Sequence, residues 1–360
     1  MMDAGKLGRI LKSMEEHDVP QLIISDPLAI YYLVGKKIAP GERMLALLLN
    51  VNGNHKMVIN ELFPQDEDLG VELVWYNDIQ DGVEILSQFV EKDKTVGIDK
   101  TWPSRFLIRL QELGAGSKFV NGSPIVDYVR MIKDEHEQEL MRKASLENDK
   151  IMEQLIPMVV KGYTELELNA IVRDMYKKTG HSDVSFDPIT GYGRSGADPH
   201  HVTDNTKGKR GDSVVLDIGG ILDNYCSDMT RTVFIGEVSD RAREVYEVVK
   251  EAQARGLAAA KPGNRMCDVD LACRNYIEEK GFGKYFTHRT GHNIGMEVHE
   301  YGDVSGINEN VLKPGMCFSV EPGIYVPGVA GVRIEDLVLI TEDGCEVLNN
   351  LSKELTVVPV

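Results

Sequence analysis

Apolar and polar positions divide the first part of the chain into alternating helical and extended stretches. Residues 5–17 carry apolar side chains at helical spacing and predict an amphipathic helix. Residues 21–25 form a short apolar strand, followed by Asp26-Pro27 and a YYLVG segment. Residues 44–51, MLALLLNV, predict a strongly apolar strand, and 55–59 one that returns beside it. Residues 83–90 and 104–113 predict helices, with a strand at 95–98 between them. The pattern describes an N-terminal α/β domain over 1–126, a sheet covered by helices. None of its residues forms a catalytic cluster. Asn121-Gly122-Ser123-Pro124 is turn material and marks the boundary.

Beyond it the pattern changes. Residues 134–150 predict a long charged helix whose Glu-to-Lys/Arg spacing suits a solvated face. Residues 164–178 predict a second, opened by the capping box Thr164-x-x-Glu167. Residues 241–260 predict a third, stopped by Pro262-Gly263, and 268–280 a fourth, stopped by Gly281. Strands and glycine-rich turns fill the gaps, giving an α+β domain over 130–360 with no short-period repeat.

The stretch 214–236, VVLDIGGILDNYCSDMTRTVFIG, reads as a hairpin. A turn centred between Leu222 and Asp223 sets Asp217 directly opposite Asp228. An Asp223-Asn224 turn leaves Asp228 one diagonal step from the partner of Asp217. Either way both carboxylates share a face, with Cβ atoms roughly 5–8 Å apart. Like charges that close repel unless protonated or bridged by a cation. A solvent-facing pair at a sheet rim is the plain alternative for this hairpin taken alone.

A second acid pair follows. Residues 316–321 and 331–340 read as strands, and a turn about Gly328 would set Glu321 opposite Glu335. Arg333 shares a face with Glu335 by period-two alternation. Two hairpins with two acids each suggest an internal duplication around a common centre. Between them lies HRTGHNIGMEVHE, 288–300, with His288, His292 and His299. Gly291 and Gly295 exclude the helical zinc-protease HExxH arrangement and imply backbone passing close to something. Each histidine alone fits a structural role; three beside four acids favour a site.

Composition narrows the classes. Net charge is −17 with no Lys/Arg-rich run, which excludes nucleic acid as a partner. No apolar run approaches a membrane span, and the N-terminus has no signal-type apolar core, so the expectation is a cytoplasmic protein without membrane partners. Five cysteines lack CxxC spacing and fit buried free thiols. Four carboxylates and an imidazole are hard to borderline donors that suit Mn²⁺, Co²⁺ or Fe²⁺, with Zn²⁺ also compatible. Four negative charges call for two divalent ions, which can share a water and acidify it; the expected chemistry is hydrolysis.

These motifs, LDIGG…YCSDMTRT, HRTGHNIGMEVHE, SVEPGIY and VRIEDLVLIT, resemble in order and spacing the M24 pita-bread metallopeptidases. That family includes Xaa-Pro dipeptidase (prolidase), aminopeptidase P and methionine aminopeptidase. The resemblance covers essentially the whole chain and implies a creatinase/prolidase-type N-terminal domain followed by a pita-bread catalytic domain. It implies five ligands: Asp217 on one metal, Asp228 and Glu335 bridging, His292 and Glu321 on the second, with Thr230 behind them. Mn²⁺ is the first expectation. By position, His200, preferred over its neighbour His201, contacts substrate. His299 matches the residue that bonds the scissile carbonyl and tetrahedral intermediate, and His288 and Arg333 match pocket residues. Glu321 is the proton shuttle beside a bridging hydroxide that attacks the carbonyl before proline. Asn293 departs from the usual glycine after the ligand histidine, and ITGYGRSGADPH before His200 is less apolar than usual.

The large N-terminal domain disfavours methionine aminopeptidase. The expectation is an Xaa-Pro dipeptidase; aminopeptidase P, acting on longer Xaa-Pro peptides, is the alternative, and a non-catalytic binding module is disfavoured by the intact ligand set. The branch implies a homodimer in which residues 35–43, with Lys36, Lys37 and Arg43, reach the partner's site. A solvated turn explains those charges equally well.

Overall fold

The computed structural model describes residues 2–198 and 201–360. The chain divides into two compact units, Met1–Arg130 and Met131–Val360.

The first unit is built on strands β1 (Gln21–Ile24), β2 (Ala46–Asn50), β3 (Lys56–Asn60), β4 (Glu72–Tyr76), β5 (Thr95–Ile98) and β6 (Lys118–Asn121). They form one mixed sheet in the order β4-β3-β2-β1-β5-β6. Helices α1 (Ala4–Glu16), α2 (Pro27–Val34), α3 (Gly82–Ser87) and α4 (Ser104–Glu112) accompany it. The core is Ile23, Leu48, Val58, Val96, Leu86 and Leu110 among others. The pattern did not predict β4 and β6, the two edge strands, whose partial exposure dilutes the apolar signal. It also missed α2, which Asp26 caps and Gly35 ends in the left-handed region.

The turn predicted at 121–124 needs correction. Ser123-Pro124 opens helix α5 (Ser123–Met131), because proline is tolerated in a first helical turn. Residue 126 falls inside α5, and the compact units divide after Arg130, at the end of the same helix.

The second unit contains helices α6 (Glu135–Leu155), α7 (Glu165–Lys178), α8 (Asp240–Ala259) and α9 (Met266–Glu279). The predicted capping box of Thr164 with Glu167 forms on α7, and Asp134 with Glu137 makes another on α6. The charges of α6 are not all solvated. Glu137 is buried and accepts from the Tyr225 hydroxyl at 2.6 Å, and buried Asp149 accepts from the Asn350 amide at 2.6 Å.

Strands β7 (Asp183–Val184), β8 (Ile189–Tyr192), β9 (Ser213–Ile218), β10 (Gly220–Leu222), β11 (Tyr225–Cys226) and β12 (Met229–Ile235) come first. Then follow β13 (Gly291–His292), β14 (Asp303–Val304), β15 (Cys317–Val320), β16 (Gly323–Val326), β17 (Ala330–Arg333), β18 (Asp336–Ile340), β19 (Cys345–Val347) and β20 (Thr356–Val358). One sheet runs β20-β12-β9-β8, and α6 and α7 pack on it through Met152, Leu155, Leu168 and Val172 against Leu216 and Val233.

The first predicted hairpin has the Asp223-Asn224 register: Leu222 pairs with Tyr225 and Asp217 with Thr230. Asp223 and Asn224 have φ of 48° and 70°, the left-handed conformations of a type I′ turn. Asn224→Val should therefore lower stability by about 1–2 kcal/mol, whereas Asn224→Gly should not. Urea unfolding of both variants checks this. The return strand is broken at Ser227-Asp228, between β11 and β12. The second hairpin turns about Gly328 as predicted, pairing Val320 with Asp336 and Gly323 with Arg333 in one continuous register. Its return strand is also broken, at Ile334-Glu335. All five cysteines are free, and four are buried.

Candidate metal centre

Three of the proposed ligands sit at strand interruptions. Asp228 lies in the break before β12, Glu321 just after β15, and Glu335 in the break before β18. A break frees a side chain from strict alternation and turns it toward the centre. Asp217 comes from β9 and His292 from β13. Gly291 explains how β13 approaches: a Cβ there would stand 1.9 Å from the Ser319 carbonyl oxygen. The His292 amide then donates to Ser319 Oγ at 3.0 Å.

All five ligand candidates line one cavity of about 180 Å³, together with His299, Phe186, Ile189 and Val298. Asp228, His292 and Glu335 are buried, and one donor atom from each lies within 4.8 Å of the others. His292 Nε2 stands 3.4 Å from Asp228 and 3.5 Å from Glu321. Its Nδ1 lies 3.2 Å from the Asn293 carbonyl, a partner that takes the Nδ1 proton and leaves Nε2 as a free lone pair for a metal. Thr230 Oγ1 donates to Glu335 at 2.7 Å.

The acids are in electrostatic conflict. Burial and the neighbouring Asp217 and Glu321 push the Asp228 carboxyl well above its ordinary value. Burial, with Asp228, Glu321 and Asp217, does the same to Glu335. Burial raises Asp217 too, against the opposing pull of Arg333. Asp217 Oδ1 and Asp228 Oδ1 are buried without a hydrogen-bond partner. Orphaned acceptors among mutually repelling acids are what a divalent cation would satisfy, so these residues fit a metal.

Behind the acids runs a polar chain. Arg333 donates to Asp217 Oδ2 at 2.5 Å, to Thr230 Oγ1 at 3.1 Å and to the Tyr325 hydroxyl at 2.8 Å. His288 Nε2 lies 3.0 Å from that hydroxyl. An adjoining cavity of about 280 Å³ is lined by His288, Arg289, His299, Tyr325 and Arg333. The His299 ring packs edge-on against His292, centroids 4.1 Å apart. Burial and the neighbouring His292 push its imidazole down to about 4, so it is neutral at physiological pH.

Of the sequence-predicted residues, Asp217, Asp228, His292, Glu321, Glu335, His288, His299 and Arg333 converge here. His200 lies outside the described residues. Its rival His201 packs elsewhere, 2.6 Å from Glu165. Glu165, His201 and Asp204 form a second carboxylate–imidazole group, but both Glu165 oxygens are already occupied, by the Tyr192 amide and by His201 with the Asp204 amide. Asn293 does not enter the site; its Nδ2 donates to the Tyr301 carbonyl at 3.0 Å. Sequence reasoning gave Tyr325 no role, although SVEPGIY contains it, and missed the apolar wall of Phe186, Ile189 and Val298. No isolated signal marks that wall, since each residue looks like ordinary core.

Comparison with known proteins agrees with this geometry. Residues 139–342 match Metallopeptidase family M24, and residues 6–132 match the Creatinase/Prolidase N-terminal domain. An uncharacterized peptidase of Staphylococcus aureus (strain USA300) is 36% identical over 359 residues, covering 97% of this chain and 99% of that one. The crystal structure of the dipeptidase PepE from Mycobacterium ulcerans superposes with a TM-score of 0.92 at 34% identity, covering 99% of this chain and 98% of that one. The prolidase from Pyrococcus horikoshii OT3 gives 0.88 at 32% identity, covering 98% and 99%. With these matches spanning both units and the donor set in place, the chain belongs to metallopeptidase family M24, carrying a creatinase/prolidase N-terminal domain ahead of a pita-bread catalytic domain.

Proposed function

We propose that this metallopeptidase hydrolyses the Xaa-Pro bond of dipeptides with two divalent ions, Mn²⁺ in the first instance and Co²⁺, Zn²⁺ or Fe²⁺ as substitutes. The observation that carries it is the pair of buried, partnerless oxygens Asp217 Oδ1 and Asp228 Oδ1 in a cavity walled by five donors. Asp217 would hold one ion, Asp228 and Glu335 would bridge, and His292 and Glu321 would complete the second. Ions held there supply Lewis acidity toward the scissile carbonyl and an acidified water.

The chain's own groups do the rest. Glu321 takes the proton of the attacking water and returns it to the leaving proline nitrogen. Neutral His299 donates a hydrogen bond to the carbonyl oxygen as charge gathers on it. His288 and His200 contact the substrate. Arg333 orients Asp217 through one charge-assisted bond to Oδ2. The adjoining cavity, about 280 Å³, lies at the small end of ligand pockets, which favours a short peptide.

Under this proposal the protein works as a cytoplasmic homodimer, the N-terminal domain governing access through residues 35–43. Arg43 is held by Asp78 through two 2.8 Å bonds and Lys36 Nζ lies 3.5 Å from Glu67, so capping of a substrate carboxylate falls first to Lys37, which sits over the Tyr31 ring. Among the described residues no helix is long and apolar enough to cross a membrane.

Parallel assays on Gly-Pro and Gly-Pro-Gly-Gly with metal supplied test the chain-length assignment. Turnover of the dipeptide with little of the tetrapeptide is expected. Efficient cleavage of the tetrapeptide would replace the dipeptidase by an aminopeptidase P.

A further inference from the structure

His299 has no hydrogen bond on its ring among the described residues; its packing partner is His292. Its aim is therefore set by its backbone, the loop 293–302. The neck of that loop is closed by three bonds: the Asn293 amide to the Gly302 carbonyl at 3.2 Å, the Glu300 amide to the Asn293 carbonyl at 2.9 Å, and Asn293 Nδ2 to Tyr301 O. The Glu300 carboxylate folds back into the loop. Its Oε1 accepts from the Met296 amide at 3.1 Å, and its Oε2 from Lys133 Nζ at 2.9 Å. Gly295 lies so close that a Cβ would stand 2.6 Å from Oε1. Lys133 is anchored in turn, its amide donating to the Gly315 carbonyl at 2.8 Å and its carbonyl accepting from Gln138 at 2.9 Å.

The side chains of Lys133 and Glu300 are 1% and 6% exposed. Burying two charges costs desolvation that their attraction only partly returns, so such pairs are better explained by specifying one geometry than by stability. The loop also accepts a bond, from the Cys226 amide to Gly295 O at 2.7 Å, two residues from Asp228. One clasp thus fixes the segment that faces the metal ligands.

We propose that Lys133 and Glu300 are positioning residues whose buried ion pair locks the loop 293–302 so that the His299 ring points at the scissile carbonyl. This rests on the role assigned to His299 above. It adds a residue outside the sequence motifs, Lys133, to the catalytic apparatus.

A double-mutant cycle of Lys133→Met with His299→Ala, read as kcat and KM on Gly-Pro, tests it. Lys133→Met should lower kcat by about 10- to 100-fold, the scale for displacing a group without removing it. KM and metal affinity, the latter by competition titration, should move less than about threefold. In the His299→Ala background the same substitution should cost less than about threefold more, because both act through one imidazole. Lys133→Arg, which restores the charge, should recover most of the loss. Hydrogen exchange of 293–302 in the metal-free Lys133→Met variant should quicken while β9 and β12 stay protected. The proposal fails if kcat survives Lys133→Met, if the loss is equally large without His299, or if exchange of the loop is unchanged. An unimpaired His299→Ala instead overturns the role given to His299, and with it the purpose of the clasp. Should Lys133→Met not fold, Glu300→Gln, which keeps an acceptor for the Met296 amide, runs the same cycle.

Discussion

Asp228→Asn is expected to abolish peptidase activity while leaving the metal-free protein as stable as before. The loss should exceed the roughly 10- to 100-fold typical of residues one step behind a metal ligand, because a bridging charge goes with it. The stability half follows from the same electrostatics. Asp228 is buried, and burial together with the charges of Asp217 and Glu321 raises its carboxyl well above the ordinary range. In the metal-free state that carboxylate is a source of repulsion, and an amide of equal size removes it. Melting of the metal-free variant should occur at or above the wild-type temperature, with unchanged circular dichroism. Activity above about a tenth of wild type under saturating metal would contradict the bridging role.

Removing metal should destabilise the protein by an amount that grows with pH. Burial raises Asp217, Asp228 and Glu335 above their unfolded values, and repulsion adds to the rise. An acid whose folded pKa is raised holds its proton in the native state after the unfolded chain has released it. The native state then binds more protons, so metal-free stability falls as pH climbs from about 4 through the raised values. Bound cations favour the ionised acids and cancel that penalty. The melting temperatures of chelated and metal-restored protein should diverge as pH rises above the ordinary carboxylate range. A gap that stays constant or narrows would mean that these acids are not the metal's ligands.

The convergence of the five donors on one cavity was legible because sequence carries both residue type and spacing. Asp217 and Asp228 share a hairpin, and its possible turns left them on one face. Choosing between those turns required the structure: Asp223 and Asn224 both adopt positive φ, so the two-residue turn wins. The Glu321/Glu335 register followed from Gly328 alone. What escaped was whatever depends on interruption or on distant packing. A period-two pattern reads 225–235 and 331–340 as unbroken strands, whereas the chain breaks each at its cavity-lining acid. Arg333 was visible by alternation with Glu335, but its bonds to Asp217 and Tyr325 were not. Lys133 lies 167 positions from Glu300, a separation across which no local pattern speaks. The turn read at 121–124 held only in part, because Ser123-Pro124 can end one segment or begin a helix, and here it begins one.

The exposed turn at Gly328 lines neither cavity of the site, yet it is the ruler by which Glu321 and Glu335 are measured out. The same pairing count runs from its tip through β16 and β17 and on into β15 and β18. Most surface loops tolerate a gained or lost residue at small entropic cost. A single added residue at this tip would shift one arm by half a pleat and send every side chain on it to the opposite face. The length of this turn is thus as tightly constrained as the acids it serves.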